Sequence, residues 1–432
     1  MAFKIGLLGL GTVGTATAEI LLDPEQRHPI LQEIAIKKVG VRSPDKPRQV
    51  QLPRETITTD LEKIVNDPEI DIVVELLGGL EPARSLILKA IEAGKHVVTA
   101  NKAVIARYGD QIYNAAEKAK VYVLLEGAVG GGIPVIEPLK QSLGANKINR
   151  VIGIVNGTTN YILSQMAAVG ADFKDVLAEA QKLGYAEADP TADVDGLDAA
   201  DKITILTSLA FAKGIKREEV LTEGIRQVSI TDINYAEKLG FAIKLLAISQ
   251  SFSSTNSDRL LVRVHPTLVP KNHPLASVNG VNNAISIEGD PIGQVMFFGP
   301  GAGGGATASA VVADIMNIVG VLKSSGKTET LDPLLSSSHQ EYATVVPNEE
   351  LVTRFYARSL ARDVPGVIGQ LGTCFGKYNV SLESVVQIGF VGEFSEIVVV
   401  THDVKEGNFR LAIEEISNLD AIETIPSILR VL

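Results

Sequence analysis

Between Glu187 and Lys202 the chain gathers six carboxylates and one lysine: Glu187, Asp189, Asp193, Asp195, Asp198, Asp201 and Lys202. Carboxylates at that density can receive a cation or an ammonium group. A lysine beside them can give or take a proton when its surroundings disfavour its charged form. Pro190 and Gly196 break any helix before them, and an Ala-rich helical run follows from Asp198. On that helix Asp198 and Lys202 are four apart and share a face. The same spacing describes an ordinary solvated surface pair, so the pair alone leaves both readings open.

What positions such groups begins at the other end of the chain. Phe3 to Leu8 is a short apolar strand running into Gly9-Leu10-Gly11-Thr12-Val13-Gly14, and a helical run follows from Thr15 to Leu22. Strand, GxGxxG and helix in this order are what a dinucleotide site needs, with the glycines letting a pyrophosphate approach the helix N-terminus. Gly9, Gly11, Thr12, Val13 and Gly14 are the candidate cofactor contacts. The second strand, Glu33 to Val41, ends in Arg42 where an NAD-selective site places an acid. A guanidinium there can meet a 2′-phosphate, so NADP(H) is favoured over NAD(H); a solvated loop arginine is the alternative.

Apolar strands at Asp71–Leu77, His96–Ala100 and Val121–Glu126 alternate with helices at 82–93 and 103–118, predicting a parallel sheet covered on both faces. Ligands gather at the carboxyl ends of such strands. Those ends read Gly78-Gly79, Thr99-Ala100-Asn101-Lys102 and Glu126-Gly127-Ala128-Val129-Gly130-Gly131-Gly132, so Thr99 and Lys102 stand at the ligand edge. Beyond Ile133 the alternation fails, with a helix expected at 135–143, a strand at 149–155, a cap at Asn156 to Asn160, and a helix at 235–249. That pattern predicts an α+β second domain with an open sheet. A second glycine-rich turn, Gly299 to Thr307, leads into an apolar helix. It either returns to the nucleotide domain, where Gly301 and Gly303 would meet cofactor, or is a flexible crossover.

Ser324 to Glu350 reads as a linker. The order βαββαβ beyond it is the ferredoxin-like split fold, an oligomerisation module or a small-ligand regulatory one. The expected division is 1–133, with 294–323 returning, as a Rossmann-type nucleotide domain; 134–293 as a catalytic and dimerisation domain; 324–350 as linker; and 351–432 as the terminal domain.

Composition narrows the classes. A net charge of −11 speaks against nucleic acid. No run approaches the roughly 18 apolar residues a membrane span needs. The one cysteine, Cys374, excludes internal disulfides and fits a reducing, cytoplasmic setting. The six histidines show no HxH or HExxH spacing, which disfavours zinc. Without a second cysteine, a thioester-forming semialdehyde dehydrogenase would have to use Cys374, which sits beside Leu371 and Phe375 like a core residue. A non-catalytic NADP sensor with the terminal module as output is the rival of a different class.

The acidic stretch, read with its flanks, is Ala180-x-x-x-Gly184-Tyr185, then Asp189-Pro190-x-x-Asp193-Val194-x-Gly196-x-Asp198-x-x-x-Lys202. It resembles the signature of homoserine dehydrogenase, as do GLGTVG, VVTANK ending at Lys102, NGTTNYIL from Asn156 and GPGAG from Gly299. The likeness spans about residues 3–325. The terminal module resembles an ACT domain, with Asp363-Val364-Pro365-Gly366 at its first loop, and the whole resembles the monofunctional form. The resemblance implies NAD(P)-dependent interconversion of L-homoserine and L-aspartate 4-semialdehyde, a step toward threonine, methionine and isoleucine. It implies proton transfer by Lys202, with Lys102 sharing candidacy and touching the cofactor. Glu187 and Asp198 would receive the substrate's ammonium, while Asp193 stands between substrate contact and loop support. A sodium ion would be held by Glu126 and the carbonyls of Val129, Gly131 and Ile133. Threonine would be the feedback effector, with Asp363, Gly366 and Asn379 its candidate contacts, and a homodimer or homotetramer is expected.

Overall fold

Short apolar segments closed by glycine or a polar residue build the first part of the chain. β1 (Phe3–Leu8) runs into α1 (Thr12–Leu22), then β2 (Ile34–Gly40), β3 (Ile57–Thr58), α2 (Glu62–Val65), β4 (Ile72–Glu75), α3 (Ala83–Glu92), β5 (His96–Thr99), α4 (Lys102–Ala119) and β6 (Val123–Leu124). The strands form a six-stranded sheet in the order β3-β2-β1-β4-β5-β6, and every pairing in it is parallel. Ile72, Val73, Val74, Val97 and Val98 are wholly buried, as strands covered on both faces must be. This computed structural model describes residues 2–253, 256–325, 330–337 and 341–432.

There follow α5 (Ile136–Lys140), β7 (Lys147–Ile154), α6 (Gly157–Val169), α7 (Phe173–Lys182), α8 (Thr191–Val194), α9 (Leu197–Phe211), β8 (Leu221–Thr222), α10 (Ile230–Lys238), β9 (Phe241–Ser253), β10 (Asn256–Pro270), β11 (Asn282–Asp290), β12 (Gly293–Pro300) and α11 (Gly304–Ser325). The last part holds β13 (Thr344–Val345), β14 (Val352–Arg362), α12 (Val367–Lys377), β15 (Leu382–Val391), β16 (Phe394–Thr401), β17 (Val404–Lys405), α13 (Glu406–Ser417) and β18 (Ile422–Val431). The chain packs as two compact units. One comprises residues 1–151, 201–218 and 283–343; the other comprises 152–200, 219–282 and 344–432. Helix α9 begins in the second and ends in the first.

Two expectations are corrected. The helix expected over 235–249 stops at Lys238, because Gly240 takes a left-handed φ of 86° and the chain leaves it extended as β9. Leu245, Leu246, Ala247 and Ile248 are all buried, and a strand buried on both faces carries the continuous apolar run of a buried helix. The second correction is α11, where Gly304–Ser324 is long and apolar enough to cross a membrane. Its apolar residues have another use: Val311, Ile315, Ile318 and Val319 pack with Ile5, Leu7 and Ala18 in the core of the first unit.

Within the second unit the strand order is β9-β10-β18-β14-β16-β15. The β14–β18, β14–β16 and β15–β16 pairings are antiparallel, so the four long strands of the terminal region have the order expected of a βαββαβ split fold. Their sheet does not stop there. β18 also pairs with β10 in parallel, Thr267 opposite Arg430 and Leu268 opposite Val431.

Part of the stretch read as a linker, 326–329 and 338–340, lies outside the described residues. The rest is tied down: the Asp332 amide donates to the Tyr122 hydroxyl at 2.8 Å, Lys140 Nζ donates to the Leu335 carbonyl at 2.5 Å, and Leu335 is buried.

Candidate active site

The turn after β1 is shaped by close backbone approach. Gly9 has φ 109°, and a Cβ there would stand 2.8 Å from the Leu76 carbonyl oxygen. A Cβ on Gly14 would come within 2.2 Å of the Gly9 carbonyl, so only glycine lets α1 start this close to the strand. Above Gly11 there is open space, as there is above Gly78, Gly79 and Gly303. This is a cradle left clear of side chains, which fits a bound pyrophosphate. Thr12 is exposed and Val13 half-buried at the helix start. The Gly9 amide donates to the Gly40 carbonyl at 3.0 Å, tying the turn to the end of β2, two residues before the exposed Arg42.

The second glycine turn returns to this site. A Cβ on Gly304 would meet Thr12 at 3.0 Å, and one on Gly131 would meet Gly301 at 2.6 Å. Gly301 is buried against Asn283, and Gly303 adopts φ 114°.

Thr99 is placed differently from a cofactor contact made by its side chain. It is wholly buried, its hydroxyl donating to Glu75 Oε2 at 2.7 Å and accepting from the Asn101 amide at 3.0 Å. Asn101 caps α4, accepting from the Val104 amide at 3.2 Å, and Lys102 is the first residue of that helix. Glu75 was not singled out from sequence. A charged residue closing an otherwise apolar strand was the available signal.

Glu126 is buried, and its carboxylate accepts from the amides of Val135, Ile136 and Glu137 at 2.6–2.9 Å, capping the start of α5. Its own amide donates to Asp314 Oδ2 at 2.8 Å. One oxygen each of Glu126, Glu137 and Asp314 lie within 4.8 Å of one another, and Asp314 Oδ1 is buried without a hydrogen-bond partner. Burial and the nearby Glu126 charge push the Asp314 carboxyl well above the usual range. Among the described residues this carboxylate group, without histidine or cysteine, is the one set that could hold a metal, and oxygen donors suit a hard cation. Val129, Gly131 and Ile133 are buried in the tight loop beside it.

In the second unit Asn156 organises the acids. It caps α6, its Oδ1 accepting from the Thr159 amide at 2.8 Å, while Nδ2 donates to Asp193 Oδ1 at 2.6 Å and to Asp198 Oδ2 at 2.9 Å. The structure thus brings Asp193 and Asp198 together on one amide. Glu187 is exposed and is not part of that fork; its backbone carbonyl accepts from Gln181. The cap was legible as Asn-Gly-Thr-Thr, but its second function was not, because the two acids lie far along the chain. Asp189 and Asp195 serve the loop, with Asp189 bound to the Thr191 amide and Asp195 paired with Arg226.

Asp198 is 6% exposed and Lys202 8%, which removes the reading of a solvated surface pair. Asp201, on the same helix, is also buried. Arg107 of α4 stands 3.1 Å from it and Arg217 2.7 Å, so it pins the helix carrying Lys102 to the helix carrying Lys202 within the first unit.

In the terminal region Gly366 takes φ 96° at the start of α12, and Asp363 is exposed in the same loop. Asn379 lies past the other end of that helix, at φ 57°. Eleven helical residues separate them, a rise of roughly 16 Å within the chain. Cys374 is buried, and burial pushes its thiol up, away from a reactive thiolate.

A glycine cradle on a parallel sheet, together with a buried carboxylate–lysine helix, defines an oxidoreductase that works with a nicotinamide nucleotide. The pattern described as "Homoserine dehydrogenase, NAD binding domain" matches residues 9–126, and "Homoserine dehydrogenase" matches 134–316. A homoserine dehydrogenase of Synechocystis sp. is 66% identical over 432 residues, covering all of both chains. One from Bacillus subtilis is 36% identical, covering 100% of this chain and 98% of its own. A crystal structure of a homoserine dehydrogenase from Thiobacillus denitrificans superposes with a TM-score of 0.91 at 40% identity, covering 100% and 98%. A hyperthermophilic archaeal homoserine dehydrogenase in complex with NADPH does so with a TM-score of 0.62 at 29% identity, covering 74% of this chain and 98% of its own. The chain belongs to the homoserine dehydrogenase family, oxidoreductases acting on a CH–OH group. The non-catalytic sensor is therefore not favoured.

Proposed function

We propose that this chain interconverts L-homoserine and L-aspartate 4-semialdehyde with NADP(H) preferred to NAD(H), as a step toward threonine, methionine and isoleucine. The observation that carries the reading is the buried Asp198–Lys202 pair on α9, standing in the family's signature spacing. When bound, the nicotinamide supplies the hydride acceptor for the carbinol carbon, or the donor in reverse. In the oxidation the substrate O–H bond breaks and its proton passes to the neutral Lys202 amine, as the carbon releases hydride and becomes the aldehyde. Lys102 is the second candidate for that proton and a contact for the cofactor. Asp198, Asp193 and Glu187 supply negative charge for the substrate's ammonium.

For the cofactor, Gly9, Gly11, Thr12, Val13 and Gly14 would cradle the pyrophosphate, with Gly301 and Gly303 closing over it and Arg42 meeting the 2′-phosphate. The NADPH in the archaeal relative supports this preference. Arg42→Ala is expected to weaken NADPH about tenfold or more, the scale of a hydrogen bond to a charged group, and NADH little. Titrating both nucleotides by fluorescence checks this, and equal loss for both would remove the role.

Asn156→Ala should raise the KM for homoserine about tenfold, a typical loss for one well-placed hydrogen bond to a charged group. Asn156→Ser keeps a cap for α6 but not the fork. Steady-state kinetics in which the serine variant matches the parent would reduce Asn156 to a cap.

A sodium ion is proposed at Glu126 and the carbonyls of Val129, Gly131 and Ile133; the unpartnered Asp314 oxygen nearby supports a hard cation. Residues 351–432 are proposed as an ACT domain through which threonine inhibits, with the loop Asp363–Gly366 as the contact. The βαββαβ order supports that reading. A dimer or higher oligomer is supported by β12, an outer strand with Met296 and Phe298 exposed. Homoserine-dependent NADP⁺ reduction, assayed with and without threonine, tests both readings: no homoserine-dependent rate would overturn the activity, and an unchanged rate with threonine would overturn the effector.

A further inference from the structure

We propose that Glu75 is a positioning residue whose buried carboxylate joins the ends of β4 and β5 through Thr99 and Asn101, and so sets where Lys102 stands. Ile72, Val73 and Val74 precede Glu75 on β4, and all four residues are wholly buried. A residue placed at this strand end for packing alone would be apolar and would need no partners. Glu75 instead collects donors from both strand ends. The Leu77 amide donates to Oε1 at 2.8 Å and the Thr99 hydroxyl to Oε2 at 2.7 Å. That hydroxyl accepts from the Asn101 amide at 3.0 Å. The Asn101 side chain then spans the two turns, donating to the Gly79 carbonyl at 2.8 Å while its oxygen takes the Val104 amide at 3.2 Å as the cap of α4.

Each link from Glu75 to the first turn of α4 is thus a hydrogen bond, and Lys102 occupies the first position of that turn. Burial pushes the Glu75 carboxyl upward, while Thr99 and the Leu77 and Gly78 amides oppose this by stabilising the anion. Those donors belong to the strand ends that form the ligand edge of a parallel sheet.

The inference rests on the reading of Lys102 as a group that meets cofactor and the reacting oxygen. The test is a set of kinetic cycles for homoserine oxidation. Glu75→Gln and Thr99→Val are each expected to lower kcat by between about ten- and a hundredfold, the scale of a misplaced reacting group. Thr99→Ser, which keeps the hydroxyl, should restore the rate. Because Thr99 is turned inward, any loss of NADPH affinity should come through Lys102 and so be no larger than the loss in Lys102→Ala.

On a Lys102→Ala background the same substitutions should add little, since residues acting as one unit do not add. A merely structural role would lower activity on either background alike. Losses that multiply in full on Lys102→Ala overturn the positioning role, as does a Thr99→Val enzyme with the parent's kcat. A Lys102→Ala enzyme with unreduced turnover instead removes the reading of Lys102, and the proposal with it. If Glu75→Gln does not fold, the Thr99→Val and Thr99→Ser pair decides alone.

Discussion

Replacing Lys202 by alanine is expected to lower turnover at least about a hundredfold, the usual scale for loss of general acid–base catalysis, while NADPH still binds. The expectation rests on place as much as residue type. Lys202 is buried on α9, one turn beyond Asp198. Asp198 in turn is held by the Asn156 amide. Single-turnover hydride transfer, followed through the nicotinamide absorbance, measures the step directly. Nucleotide titration of the same variant separates chemistry from binding. A variant with turnover near the parent's would end the case for Lys202 and shift the proton to Lys102.

The second large effect concerns stability. Arg358 of β14 is buried and serves two carboxylates. Its Nε stands 2.7 Å from Asp232 Oδ1, and one terminal nitrogen stands 3.0 Å from Glu396 Oε1. The Tyr356 hydroxyl also donates to Asp232, at 3.1 Å, and the Tyr235 hydroxyl donates to Glu396. Burial, followed by the Glu396 contact, pushes the Tyr235 phenol up to about 12. Because Asp232 and Tyr235 lie on α10, this network fastens α10 to the terminal strands within the second unit.

Arg358→Met would leave two buried carboxylates without their cation. Breaking a buried pair from one side costs about 3–5 kcal/mol. Urea unfolding should therefore show a loss of that size, and a loss under about 1 kcal/mol, the value of an exposed pair, would refute the network's importance.

The nucleotide half was legible because its physics is local. Strand, glycine turn and helix follow one another within a few residues, and glycine is required at Gly14 by a contact inside the same turn, with only Gly9 answering to a distant neighbour, Leu76. The acid–lysine helix was legible as spacing, though sequence alone could not separate a buried pair from a solvated one. What could not be read depends on distant partners. Asn156 meets Asp198, Glu75 meets Thr99 and Arg107 meets Asp201 across long separations, and no local pattern announces such pairings. The misread helix at β9 has a different cause: burial on both faces erases the alternation that distinguishes strand from helix.

The parallel pairing of β10 with β18 also has a consequence for the order in which the molecule is made. Thr267 and Leu268 find their neighbours in Arg430 and Val431, and the Leu432 amide closes onto the Leu268 carbonyl at 2.9 Å. Until residues 430–432 have left the ribosome, this part of β10 stays an open edge, able to pair with any extended segment nearby. Nascent chains should therefore expose this edge from the synthesis of β10 until residues 430–432 emerge, and need chaperone shelter over that interval.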